Sequence, residues 1–333
     1  MVFVLEPKEY RHINIGARFD TEDLASLIAS VSNNQQFSTR HHYALTGRIS
    51  RNPYFETKYT FGHLFGAKIG FSYRFAHHDF NLYADKRKLD AVEFLSHSLT
   101  SFYTHDIGNI RLKTGACFEY YHYHSDMFKR DGGRLSHSSD HFLNYFASIK
   151  VDSYDRRCFP SRGGCVYVLG AIHTDDGIKY DERNPFGEVV FRTECALRLT
   201  PIFYLIPKLK GRFLFGEKTP ALYQNYVGGI FDANYLPWQM AWETSQHTHL
   251  LERNIIMGQL AFRYRLKSKF YLTALSEYGK EAHNTTEIFS GKNFWGFALR
   301  ASYDFVFGPI SIQTNYSNLW KNVGVYINAG FVF

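Results

Sequence analysis

The stretch VGVYINAGFVF, residues 323–333, decides the fold. Its odd positions, Val323, Val325, Ile327, Ala329, Phe331 and Phe333, are all apolar. Its even positions, Gly324, Tyr326, Asn328, Gly330 and Val332, are mostly smaller or more polar. A period of two marks an extended strand whose two faces meet different surroundings. The segment before it does the same, with Ile310, Ile312, Thr314 and Tyr316 opposing Ser311, Gln313 and Asn315. Earlier again, Trp295, Phe297, Leu299, Ala301, Tyr303 and Phe305 oppose Gly296, Ala298, Arg300, Ser302 and Asp304.

The middle of the chain keeps the period and puts more charge on the second face. Ile110, Leu112, Thr114, Ala116, Phe118 and Tyr120 oppose Arg111, Lys113, Gly115, Cys117, Glu119 and Tyr121. Val189, Phe191, Thr193, Cys195 and Leu197 oppose Val190, Arg192, Glu194, Ala196 and Arg198. A soluble sandwich would bury one face of each strand against a second sheet, and neither face suits that: burying the charged one is costly. Lipid on the apolar side and a hydrated lumen on the charged side fit both. Composition agrees, because 18% aromatic residues stand beside a polar mean hydropathy of −0.31. No run approaches the ~18 apolar residues that a membrane helix needs. The expected fold is therefore all-β, a transmembrane antiparallel barrel occupying residues 11–333.

Sixteen segments follow the pattern: 11–20, 23–33, 39–50, 53–63, 66–84, 88–104, 107–124, 138–153, 164–174, 187–199, 202–215, 252–266, 268–279, 294–305, 308–318 and 323–333. An even number is what a single-chain bacterial barrel requires. Connections at 34–38, 64–65, 105–106, 200–201, 267 and 306–307 are tight, with 154–163 somewhat longer. Those at 125–137, 175–186, 216–251 and 280–293 are long and polar. Short periplasmic turns alternating with long outer loops are an independent mark of such barrels, clear here from residue 107 onward.

The formal charge is +7, with Lys and Arg spread one or two per strand, so a basic lumen or rim is expected and no nucleic-acid partner. The four cysteines are too few for a disulfide scaffold; Cys158 and Cys165 flank one short segment, leaving either a bridge or two thiols open. The amino-terminal MVFVLEPKEYRH is not a secretory leader. Residues 1–10 are accordingly expected to be a lead-in from a missing upstream domain. His122/His124, His137/His141 and His247/His249 cluster, but nothing adjacent supplies further ligands, so neither a metal nor a cofactor is expected. Ser96 and His97 are strand neighbours on opposite faces and cannot easily form a hydrolytic pair.

Four stretches carry a family resemblance. They are HINIGARFDTEDLASLIAS at 12–30; the turn Asp152-Ser-Tyr-Asp155 through Pro160-Ser-Arg162-Gly163-Gly164; Gly228-Gly229 with the later Pro237-Trp238 in the longest loop; and Gly308-Pro309 with a terminal Phe333. Together they make the chain resemble the barrel of the bacterial surface-antigen superfamily, which includes outer-membrane assembly proteins and two-partner secretion transporters. Within it, the chain looks most like the carboxy-terminal barrel of bacterial patatin-like phospholipases. The resemblance implies residence in the outer membrane, with lipid and the outer-membrane assembly machinery as partners, and an amino-terminal lipase domain as a further one. It implies a structural lock at Asp152, Asp155, Pro160, Arg162 and Gly163, with Asp155 and Arg162 pairing across the turn. It also implies a long loop 216–251 folded inward as a plug, built on Gly228, Gly229, Pro237 and Trp238, and a carboxy-terminal barrel signal at Phe331 and Phe333.

Two departures matter. Assembly and secretion members carry Val-Arg-Gly-Phe in that loop, and here Ile230-Phe231-Asp232 follow the glycines. No Gly-x-Ser-x-Gly elbow exists in the chain, and Asp131-Gly-Gly133 reads as a turn, so no catalytic residue and no enzyme activity are expected. Protein insertion or secretion, or a basic-lumen diffusion porin, remain as alternatives to a lipase anchor.

Overall fold

In the computed structural model, residues 9–22, 24–35, 41–62, 67–84, 87–124, 130–131, 134–135, 139–156, 158–233 and 235–330 are described. Sixteen strands build the wall: β1 Glu9–Asp20, β2 Leu24–Gln35, β3 His41–Ile49, β4 Tyr54–Gly62, β5 Ala67–Ala84, β6 Arg87–Ile107, β7 Ile110–Tyr123 and β8 Ser139–Asp152, followed by β9 Gly163–Thr174, β10 Phe186–Arg198, β11 Phe203–Phe215, β12 Asn254–Lys267, β13 Phe270–Ala282, β14 Lys292–Tyr303, β15 Ile310–Ser317 and β16 Val323–Gly330. Each pairs antiparallel with the next, and β1 closes on β16, so the sheet has no free edge.

The alternation read from the sequence is the inside–outside alternation of the wall. Val323, Val325 and Ile327 are exposed while Tyr326 and Asn328 are buried; Phe297 and Leu299 point out while Ala298 and Ser302 point in. The same holds for Ile110, Leu112, Phe118 and Tyr120 against Cys117 and Tyr121. Expected bounds fall within a few residues of the observed ones. The first strand opens at Glu9 rather than residue 11, and β6 runs on to Ile107.

At the closing seam Arg18 faces Gly330, Phe19 faces Ala329 and Asp20 faces Asn328, three pairs among the described residues. The Thr21 amide adds one bond to the Ile327 carbonyl, 3.2 Å. By contrast β5 and β6 are paired from Ala67–His105 to Ala84–Arg87.

Inside, much of the outer half of the barrel is filled by apolar and aromatic side chains. Phe80, Phe94, Tyr121, Phe142 and Phe186 of the wall pack on Leu222, Tyr223, Tyr226 and Trp238 from the long loop. A second cluster joins Val190, Ile255, Met257 and Phe294 to Val227, Met240 and Trp242. The expected hydrated lumen is thus filled in this half, because the loop supplies an apolar surface that the wall's own aromatics can meet.

Candidate functional site

The loop between β11 and β12 forms the site. It enters the lumen through a short 3-10 turn, Ala221–Tyr223, and a strand Asn225–Val227 paired with Thr248–Leu251. Thr248 and His249 pair in parallel with Leu82 and Tyr83 on β5, which fastens the loop to the wall. Gly228 has φ +145°, and a Cβ there would stand 2.0 Å from the His247 carbonyl. Only glycine lets the two arms of the loop approach so closely. The Gly228 and Gly229 amides bond the Met240 and Ser245 carbonyls, at 3.0 and 2.9 Å, and the Trp242 amide returns to Gly229 at 3.1 Å. Pro237 lines a cavity of about 550 Å³, and the Trp238 ring stacks on Tyr223 at 4.5 Å. The structure therefore brings Gly228, Gly229 and the Pro237-Trp238 pair into one inward-folded loop.

Charge decides how that loop is held. Near its top, the fully buried Arg212 donates from Nε to Glu188 Oε2 at 2.7 Å and from Nη1 to the Tyr223 carbonyl at 2.7 Å. Asn144 donates to Glu119 at 2.8 Å and to the Tyr223 hydroxyl at 3.0 Å, and that hydroxyl also donates to Glu119. Deeper down, Asp232 meets Lys210 at 2.9 Å and Arg192 at 3.6 Å. Glu243 meets Lys208 at 2.8 Å and Arg300 at 2.6 Å, with Gln259 donating to it at 3.1 Å. Glu277 accepts the Thr244 amide at 2.9 Å, and the Trp242 indole donates to Ser317 at 3.1 Å. The loop is acidic where the wall is basic.

That polarity is the reverse of what the resemblance implies for assembly and secretion members, whose loop contributes an arginine. Here Asp232 occupies the segment after the paired glycines and reaches two wall cations. Of the wall partners, Arg192 and Arg300 were placed on the inner face by alternation, whereas nothing in the sequence tied Glu119 and Glu188 to the loop or the loop's Glu243 to the wall.

The turn 153–162 is held by Asp155. Its carboxylate accepts from the Ser161 amide at 2.8 Å, the Ser161 hydroxyl at 2.5 Å and the Arg162 amide at 3.2 Å. Asp155 and Arg162 do meet across the turn, through the Arg162 amide and through the Asp155 amide donating to the Arg162 carbonyl at 3.3 Å, rather than through the exposed guanidinium. Asp152 instead pairs with Lys150 at 3.2 Å. Gly163 has φ +96°, with the Ser153 carbonyl 2.2 Å from where a Cβ would be, and Pro160 lines the periplasmic part of the lumen. Desolvation nudges the Asp155 carboxyl up, but the Ser161 and Arg162 hydrogen bonds outweigh it and hold the group at about 2. Because the folded value lies below the usual ~4, the turn is fully stabilised above pH ~4 and loses this contribution as pH falls through 2. The Ser161 and Arg162 amide shifts should titrate with a midpoint near 2, and Asp155→Asn should abolish that titration; a midpoint near 4 would show the bonds to be weak.

Other sequence candidates do not converge. Phe331 and Phe333 lie outside the described residues, as do His137 and the Gly132-Gly133 part of the outer hairpin. His122 and His124 are in edge contact at 5.1 Å, and His249 bonds Ser245 at 2.9 Å. Among the described residues no group of three His, Cys, Asp or Glu side chains is placed to hold a metal. Ser96 does find a cross-strand partner, His78 Nε2 at 2.9 Å, while His97 bonds Tyr73 on the opposite face. His78 lies buried in a stack on Phe94, facing the lumen core rather than lipid. Cys158 and Cys165 both line the periplasmic cavity as thiols, without a bridge between them.

A sixteen-stranded, loop-filled barrel with short turns at one end defines the class: a bacterial outer-membrane β-barrel. The model of the OMP85 superfamily matches residues 2–333, and the chain belongs to that superfamily. Among solved structures it is similar to BamA from Haemophilus ducreyi lacking POTRA domains 1–3, with a TM-score of 0.72 at 11% identity, over 98% of this chain and 71% of that one. It is also similar to CdiB from Escherichia coli (TM-score 0.61, 10% identity, 96% and 67% covered). CdiB from Acinetobacter baumannii follows with 0.55, 9%, 97% and 60%. Among curated proteins, no sequence matches.

Proposed function

We propose that this barrel anchors, and passes towards the cell surface, a polypeptide presented at its amino-terminal end, the cargo implied by the resemblance being a patatin-like phospholipase domain. The observation that carries this reading is the occupied lumen: a loop ion-paired to the wall and packed into two aromatic clusters fills it as a plug would. An open diffusion porin would need an aqueous channel through that space. The inverted loop polarity sets the chain apart from the arginine-bearing members and favours the lipase-linked reading. A second reading is insertion or secretion of other proteins, supported by the seam at which β1 closes on β16, where three pairs are formed among the described residues.

The test is to tag the barrel in its native membrane, isolate it in mild detergent, and treat the material with a fluorophosphonate probe for serine hydrolases. The expected result is a co-isolated hydrolase whose surface-accessible fraction collapses when the barrel is depleted. No hydrolase, together with a fall in the folded amounts of other outer-membrane barrels, would overturn the lipase reading in favour of insertion.

A further inference from the structure

The periplasmic half of the lumen holds a cavity of about 700 Å³, and Arg263 on β12 lines it. Arg263 is 5% exposed, yet it makes no hydrogen bond or ion pair among the described residues. Its guanidinium instead lies 5.7 Å from the Phe159 ring and 5.8 Å from the Tyr204 ring. Of the other cations lining the cavity, Lys150, Lys208 and Arg300 have carboxylate partners, and Arg156 is exposed on the turn, so Arg263 is the buried one left without a partner among the described residues. The carboxylates lining the cavity are engaged elsewhere: Asp152 with Lys150, Asp155 with the turn amides, Glu194 with Lys208, and Glu243 with Lys208 and Arg300. None is left for Arg263.

A second observation shows that the position is built. Phe159 adopts φ +50°, a costly backbone for a residue with a side chain, and in doing so lays its ring flat on Tyr271 at 4.4 Å and 9°. The turn thereby supplies one aromatic wall, and cross-strand Tyr204 supplies another. Arginine stacks well on rings while its in-plane donors stay available, and those donors match the paired oxygens of a carboxylate or phosphate. A buried, unpaired cation facing a cavity is a strong centre for an anion.

We propose that Arg263, held between Phe159 and Tyr204, is the binding group of a small-oxyanion site, for carboxylate or phosphate, at the periplasmic end of the lumen. This site is independent of which cargo the barrel serves.

The test uses the folded full chain in detergent, with inorganic phosphate and acetate as probes. Phosphate binding is followed by phosphorus NMR and is expected to saturate in the millimolar range. Arg263→Gln should weaken it about tenfold, and Arg263→Lys, which keeps the charge without the fork, by less. Acetate displacing phosphate at similar concentration identifies a general oxyanion site; failure to displace identifies phosphate as the ligand, and acetate binding alone a carboxylate. Should the variants not fold, the unmodified chain still decides: phenylglyoxal modification of Arg263, read by mass spectrometry, should slow about tenfold at ten times the dissociation constant of either anion. Equal binding by Arg263→Gln, or no protection by either anion, would overturn the site.

Discussion

Arg212→Met lowers the stability of the folded barrel by about 3–5 kcal/mol, the cost expected when one member of a buried ion pair is removed and the other stays. Arg212 is wholly shielded, and Glu188 is 6% exposed. Without the guanidinium, Glu188 keeps only His173, at 3.6 Å. The same change strips a donor from the Tyr223 and Gln224 carbonyls and from the Asn225 side chain, where the loop enters the lumen. The loop entrance should therefore loosen along with the wall. Urea unfolding in detergent, read by the mobility difference between folded and unfolded barrel, measures the loss. Arg212→Met combined with Glu188→Leu should recover much of it, because the stranded charge is then gone. A loss below ~1 kcal/mol in the single variant would mean that the pair is hydrated and the outer half of the lumen wet.

What the sequence revealed and what it hid follow from the range of the interactions. Strands such as Ala67–Ala84 and Phe203–Phe215 were legible because lipid on one side enforces a period of two over many residues, and nothing local competes. The sense of each face was legible too, so Arg192 and Arg300 were assigned to the inner face. Their partners were not. Glu119 and Tyr223 meet across 104 positions of sequence, and Arg300 and Glu243 across 57, distances at which a single sequence carries no pairing signal. The short strands Asn225–Val227 and Thr248–Leu251 were missed because three or four residues cannot display a period. The turn 153–162 was expected as a lock from the resemblance, and Asp155 and Arg162 do meet across it, through backbone amides rather than through two side chains. An Asp near an Arg suggests an ion pair, whereas backbone amides held at a fixed distance from Asp155 compete better than a mobile side chain does. The filled lumen was expected from the resemblance. The sequence by itself favoured water, since the aromatics that meet the loop look on paper like any barrel interior.

Excising the loop should have the largest functional effect. Phe213 faces Asn254 across the β11–β12 ladder, so the strand ends left by removing residues 219–250 lie side by side and a short Gly/Ser linker joins them without strain. The excision takes away Tyr223, Trp238, Met240 and Trp242, and with them one side of both aromatic clusters. It also removes Asp232 and Glu243, stranding Lys210 and Arg300 and leaving Lys208 only Glu194 at 3.6 Å. A sixteen-stranded wall encloses enough room for water once nothing crosses it, so planar-bilayer conductance should rise by on the order of tenfold. The newly bared cations should make that current anion-selective, and the selectivity should fade as salt screens them. The paired change Asp232→Asn with Glu243→Gln keeps the loop's bulk but removes its charge, and should produce brief openings rather than a standing pore. Those openings would show that the ion pairs, more than the packing, keep the plug seated. An excised barrel that is folded yet conducts no better than the intact one would mean that the wall collapses inward, and the loop would then be a structural core rather than a plug.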